Sequence, residues 1–212
     1  MGYSDLKSLI IRGKNKPQKI LIFLHGYGAD PESFSDVGKY IVDNIDGIDA
    51  VLPYGFNFCA RCGIGYEWFP MDTDSILDWR KDIVSASNKM IEFIDSVKEK
   101  YNVSSENVIL SGFSQGAMLA LDAGIKAEVG WIIAFSGILV DESVLDKKNK
   151  KTKIALMHGD SDEVLPLSSM IAAVDEFKER GIDIKTLIVP RLNHSIDMKE
   201  MNFALDFLKG DK

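Results

Sequence analysis

The chain has 212 residues, 46% of them apolar and 27% charged, with a net charge of −7. At ~100–200 residues per domain it makes one sizeable domain, residues 1–212, of a composition that excludes wholesale disorder. The acidic balance argues against a nucleic-acid partner, which needs a basic face, and two cysteines alone make neither a disulfide scaffold nor a four-ligand zinc site.

At the N-terminus, Leu9-Ile10-Ile11 is the one short apolar run. A signal peptide needs an apolar region of ~7–15 residues, and Leu6 stands where the N-myristoylation pattern has Ser or Thr. No apolar stretch nears the ~18 residues of a spanning helix. These features lead us to expect a soluble cytoplasmic protein with no stable membrane insertion.

Lys19–Leu24 reads as a buried strand running into the turn His25-Gly26-Tyr27-Gly28. Asp30-Pro31-Glu32 opens a helix, with an N-cap and then Pro at the first helical position. Ile48–Leu52 is a second strand. Ile76, Ile83, Met90, Ile94 and Val97 mark one face of a long helix ending at Tyr101. Asn107–Leu110 is a strand, followed by Gly112-Phe113-Ser114-Gln115-Gly116 and a helix over Ala117–Leu121. Trp131–Phe135 and Ile154–Met157 are strands. Ser168–Arg180 is a helix with Gly181 as its C-cap. Ile184–Val189 is a strand and Asp197–Leu208 a final helix. Strands that are continuous apolar runs, alternating with helices, predict a mostly parallel sheet covered on both faces, with no large lid domain. Ligands of such sheets bind outside the carboxyl ends of the strands.

Gly112-Phe-Ser-Gln-Gly116 follows a strand and opens a helix, as a nucleophile elbow requires. The serine of an elbow is strained, so its flanking positions must be small. A serine hydroxyl needs a base. His194 lies in a loop after the last strand, where it can reach across the sheet's carboxyl edge. His25 and His158 end strands and read as structural. A carboxylate must orient the base, and the loop from His158 to Pro166 offers Asp160, Asp162 and Glu163. Asp162 is the choice, with Asp160 assigned to building the turn. The chain order Ser114, Asp162, His194 is that of α/β-hydrolases. Backbone N–H groups of Tyr27 and Gln115 are the expected oxyanion donors.

The set Leu24-His-Gly-Tyr-Gly28, Gly112-Phe-Ser-Gln-Gly116, His158-Gly-Asp-Ser-Asp162 with Val164 to Pro166, and Asn193-His-Ser195 resembles the phospholipase/carboxylesterase family of α/β-hydrolases. Acyl-protein thioesterases and small bacterial carboxylesterases belong to it. The resemblance runs from about Lys19 to Leu208. It implies esterase or thioesterase activity on acyl chains, through the same triad and oxyanion donors. Neither a metal nor a cofactor is called for, and a homodimer is compatible with it. Cys59-Ala-Arg-Cys62-Gly-Ile-Gly65 departs from the proline-rich or small-residue stretch expected there.

That segment lies in a long loop, Pro53 to Leu77. It holds six aromatics in 25 residues, against 9% for the whole chain. Phe56, Trp68 and Phe69, with Leu165, are candidates to wall an acyl pocket; rings that merely pack the loop down are the alternative. Cys59 and Cys62 read as two reduced thiols, and five lysines between Lys147 and Lys153 as a solvated loop. The competing functional readings are a peptidase or dienelactone-type hydrolase on the same fold, and a non-catalytic binding scaffold. Ser rather than Cys at position 114 counts against the dienelactone type, and the intact Ser114, Asp162 and His194 against the scaffold.

Overall fold

The apolar runs of the sequence become the interior of a single sheet. In the computed structural model, which describes residues 5–73, 75–146 and 151–210, the strands are β1 (Ser8–Ile11), β2 (Lys19–Leu24) and β3 (Ile48–Pro53), then a separate hairpin of β4 (Asn57–Phe58) and β5 (Tyr66–Glu67), then β6 (Val108–Phe113), β7 (Trp131–Phe135), β8 (Lys153–Gly159) and β9 (Ile184–Val189). Among the described residues the sheet has seven strands in the order β1-β3-β2-β6-β7-β8-β9. All pairings are parallel except that of β1 with β3. Most of the lysine run, residues 147–150, lies outside the described residues, as does Gly2.

The inner strands are mainly apolar because both faces are covered. Side chains alternate across a strand, so Ile20, Ile22 and Leu24 enter one core while Leu21 and Phe23 enter the other. The first core is closed by α2 (Ile76–Tyr101), α3 (Gln115–Lys126) and α4 (Leu167–Glu179), which bring Ile83, Met90, Ile94, Ala117, Met170 and Phe177. The second is closed by α1 (Ser35–Asn44) and α5 (Met198–Lys209), through Ile41, Val42, Met201, Ala204 and Leu205. Each fully buried large aliphatic is worth roughly 1.5–3 kcal/mol, so the sheet is a stiff base for the loops at its carboxyl edge. No helix of the described residues is long and apolar enough to cross a membrane.

The structure departs from the sequence reading in three places. The Leu9-Ile10-Ile11 run is an edge strand, antiparallel to β3 in the register Leu9↔Leu52. Asp30 does cap, accepting from Ser33 N at 2.9 Å, but what it opens is a short 3-10 turn, Glu32–Phe34, and the α-helix starts at Ser35. The loop from Pro53 to Leu77 contains the β4–β5 hairpin, whose two-residue strands are too short to show a period.

Helix α5 begins with the capping box that Asp197 and Glu200 allow. Asp197 accepts from Lys199 N and Glu200 N, and Glu200 Oε2 accepts from Asp197 N. Glu200 is wholly buried and its Oε1 has no partner. Burial, with Asp197 and Asp162 nearby, pushes its carboxyl from the ordinary 4.5 up to about 8. The folded chain therefore keeps this proton across a range where the unfolded chain loses it, and stability falls as pH rises from about 4.5 to 8. Glu200→Gln keeps the cap and removes the titration. Thermal melts should show the Tm of the variant gaining roughly 10 °C on the wild type between pH 5 and 8; a constant difference would contradict this account.

Candidate active site

Strand β6 passes directly into α3 through Ser114, whose backbone stands at φ 54° and ψ −117°. Such an angle strains a residue with a side chain. It is held by Ser114 N donating to Phe135 O at 2.9 Å and by Met118 N donating to Ser114 O at 3.1 Å. The flanking glycines are needed for space. A Cβ on Gly112 would lie 2.4 Å from the carbonyl carbon of Gly116, and one on Gly116 would lie 2.2 Å from Leu24 O.

The ends of β8 and β9 supply an acid–base pair. Asp162 Oδ1 accepts from Val164 N at 2.9 Å and Leu165 N at 2.8 Å. Its Oδ2 lies 2.7 Å from His194 Nδ1. Facing a carboxylate, Nδ1 carries the ring proton and Nε2 keeps its lone pair. Burial opposes the charge on Asp162, but the hydrogen bonds from His194, Leu165 and Val164 together outweigh it and hold the carboxyl below its ordinary value. Among the described residues Asp160 does not bond backbone N–H groups of its own turn; it accepts from Arg191 N and so ties that turn to the loop after β9.

His158 does more than pack. Its buried Nε2 donates to Leu165 O at 2.8 Å and lies 3.3 Å from Asp162 Oδ2, so a second imidazole faces the same carboxylate. The available signal was its place four residues before Asp162 in one tight turn.

The loop after β2 abuts the elbow. A Cβ on Gly26 would lie 3.1 Å from the Phe113 ring and 3.6 Å from Ser114 Cβ. Phe113, the residue before Ser114, also packs its ring against His194, with ring centroids 4.7 Å apart. No hydrogen bond joins Ser114 Oγ to His194; such bonds are often long until substrate binds. Neither Tyr27 N–H nor Gln115 N–H is spent on an acceptor within the described residues. His25 is structural: its Nδ1 donates to Gly26 O at 2.8 Å, and burial pushes its pKa down.

The aromatic candidates divide. Trp68 and Phe69 are each 1% exposed, so they sit in the core instead of walling an open pocket. They pin the long loop to the elbow: Gln115 Oε1 accepts from Trp68 N at 3.0 Å, and Gln115 Nε2 donates to Phe69 O at 2.7 Å. Trp68 Nε1 donates to His25 O at 2.8 Å. Phe56 is half-buried, edge-on to Trp68 at 5.4 Å. Leu165 is nearly buried and serves Asp162 through its N–H. The structure also corrects the reading of reduced thiols. Cys59 and Cys62 are joined by a disulfide, because the hairpin turn brings their Cα atoms to 5.3 Å, within bonding reach. Cavities of about 580 Å³ between β1 and α2, and about 470 Å³ at the amino ends of β8 and β9, hold none of these candidates.

A covered parallel sheet, a strained serine between β6 and α3, and a carboxylate–imidazole pair on the loops after β8 and β9 define an α/β-hydrolase. Residues 6–211 match the family model for phospholipases and carboxylesterases, and the chain belongs to that family. It is 31% identical over 210 residues to Esterase YpfH of Escherichia coli strain K12, covering 94% of this chain and 86% of that protein. It is 27% identical over 227 residues to acyl-protein thioesterase 1 of Kluyveromyces lactis, covering 96% of each. The crystal structure of esterase PE8 superposes with a TM-score of 0.87 at 28% identity, over 96% of this chain and 98% of that one. The protein is a hydrolase of carboxylic esters or thioesters.

The Phe113 ring is the contact that seats His194. Phe113→Leu removes an aromatic contact worth about 0.5–1.5 kcal/mol. It should lower kcat for a p-nitrophenyl ester about three- to tenfold, with KM within twofold. An unchanged kcat would show that the ring has no part in seating the base.

Proposed function

We propose that the chain cleaves acyl esters and thioesters with Ser114 as nucleophile, His194 as general base and acid, and Asp162 as the carboxylate that orients the base. Ser114 Oγ attacks the acyl carbonyl carbon while its proton passes to His194 Nε2. The carbonyl oxygen becomes an oxyanion that accepts from Tyr27 N–H and Gln115 N–H at the amino end of α3. Collapse of this intermediate expels the alcohol or thiol, protonated by His194, and leaves Ser114 acylated. Water, deprotonated by His194, then releases the acid. Throughout, Asp162 stabilises the imidazolium as an anion and takes up no proton.

What supports this reading is the 2.7 Å Asp162–His194 pair, its imidazole packed on Phe113, the residue before a serine with φ 54°. The acyl part of the substrate is supported by exposed apolar side chains on the surrounding segments. Ile64 stands on the hairpin loop, Val164 after Asp162, and Met198 after His194, each more than half exposed.

A fluorophosphonate probe should label the wild type and leave Ser114→Ala unlabelled; equal labelling of both would overturn the assignment. Asp162→Asn should lower kcat by about 10⁴, as loss of the correct tautomer does in serine hydrolases, and His194→Gln should lower it by about as much. A series of p-nitrophenyl esters and acyl thioesters from C2 to C16 should show kcat/KM rising with chain length before it levels. A flat series would remove the apolar rim from the account.

A further inference from the structure

We propose that the Cys59–Cys62 disulfide is a redox-active site that small thiols, dithiols above all, reduce, and that its state sets the geometry of the loop His25–Gly28. The second half rests on the catalytic reading above, because that loop carries Tyr27 N–H.

The disulfide closes the turn between β4 and β5. Cys59 N donates to Gly65 O at 3.0 Å and Gly63 N to Cys59 O at 3.0 Å. The hairpin is bonded in turn to the loop after β2: Gly28 N donates to Tyr66 O at 2.9 Å, and Tyr66 N to Ala29 O at 2.8 Å. Contact is closest at Gly28. A Cβ built there would lie 2.7 Å from Cys62 Sγ and 3.1 Å from Cys62 Cβ. A Cβ on Gly65 would lie 2.1 Å from Gly28 O. The sulfur of Cys62 therefore sits against the residue that follows Tyr27.

The two cysteines differ in access. Cys59 is fully buried, whereas Cys62 is part-exposed between the exposed Arg61 and Gly63. An incoming thiolate meets Cys62 Sγ and forms a bond to it. The Cys59–Cys62 bond breaks, and its electron pair leaves on Cys59 Sγ, which already accepts from Cys62 N at 3.3 Å. Water protonates that thiolate. A second thiolate attacks the external sulfur of the mixed disulfide and releases Cys62. The protein gains two electrons, and two external thiols become one disulfide. Cys59 remains next to the mixed disulfide and can reverse the first step, so a dithiol that closes on itself drives the reaction best.

Opening the bond moves the two sulfurs from bonded distance to van der Waals contact, about 1.5 Å further apart. Cys59 is buried and held by two backbone hydrogen bonds, so Cys62 takes the displacement, and Cys62 bears on Gly28. Oxyanion donors act over a window of about 2.7–3.1 Å, so a shift of this loop is felt in kcat.

The test uses the whole chain purified without reductant. Mass spectrometry after alkylation should find no modified cysteine, and two after treatment with dithiothreitol. With a p-nitrophenyl ester as substrate and rates normalised to fluorophosphonate-reactive serine, the reduced form should show at least a twofold lower kcat, reversed by oxidised glutathione. The double variant Cys59→Ser, Cys62→Ser should stay at the reduced rate and ignore dithiothreitol. Two alkylated cysteines even after oxidised glutathione would overturn the proposal, as would reduced and oxidised rates within twofold of each other. Should neither state hydrolyse any ester, the catalytic reading fails on its own. Hydrogen–deuterium exchange of the segment 25–29 then decides: faster exchange on reduction supports the coupling, and unchanged exchange overturns it.

Discussion

The positive φ of Ser114 is the constraint around which the site is built. A non-glycine residue in such a conformation costs on the order of 1–3 kcal/mol and persists only if its surroundings over-determine it. Here β6 is paired on both sides, by β2 and β7, and α3 packs its entire length against that sheet, with Gln115 through Ile125 buried. Strand and helix are each fixed independently, so the one residue between them has no freedom to relax. The same closeness excludes any side chain at Gly112 or Gly116, where a Cβ would strike backbone.

Asp162 depends on a different economy. Its Oδ1 is saturated by two backbone N–H groups of its own turn, and its Oδ2 faces two imidazoles, those of His194 and His158. A carboxylate so bonded stays ionised despite burial, and it can fix the tautomer of His194 only while ionised. The local turn thus fixes the Asp162 carboxylate through its own backbone, and the loop after β9 brings His194 to its free oxygen. The Phe113 ring then sets the imidazole against the elbow from the other side.

The legible and the illegible parts of this protein differ in kind. The inner strands could be read because double-sided burial writes unbroken apolar runs, as in Ile20–Leu24 and Ile132–Phe135. The elbow and the chain order of its partners could be read because each is a local pattern tied to a strand end. What could not be read depended on contacts between distant segments. Gln115 gave no sign that its side chain would bind Trp68 and Phe69, more than forty residues earlier. The same holds for the disulfide, since C-x-x-C spacing is equally compatible with free thiols until the turn is known. The β4–β5 hairpin failed for want of length, as two residues carry no period.

These long-range ties explain how one scaffold can hold the Ser114 elbow and the Asp162 turn in place while its rim varies. The long loop after β3 is anchored at its far end, where Trp68 and Phe69 are buried and bonded to His25 and Gln115. Between Phe58 and Tyr66 it is mostly exposed and rests on the β2 loop through a few backbone bonds and Cys62. A change of sequence in that tip alters what meets the substrate and bears on the β2 loop through Cys62 and Gly65, while the Ser114 elbow and the Asp162 turn keep their own supports. This is the stretch where the chain departs from the pattern expected of the eukaryotic thioesterases. Function on a shared fold lies in such grafted segments, so the individuality of this enzyme is to be sought in Cys59–Gly65 before the core.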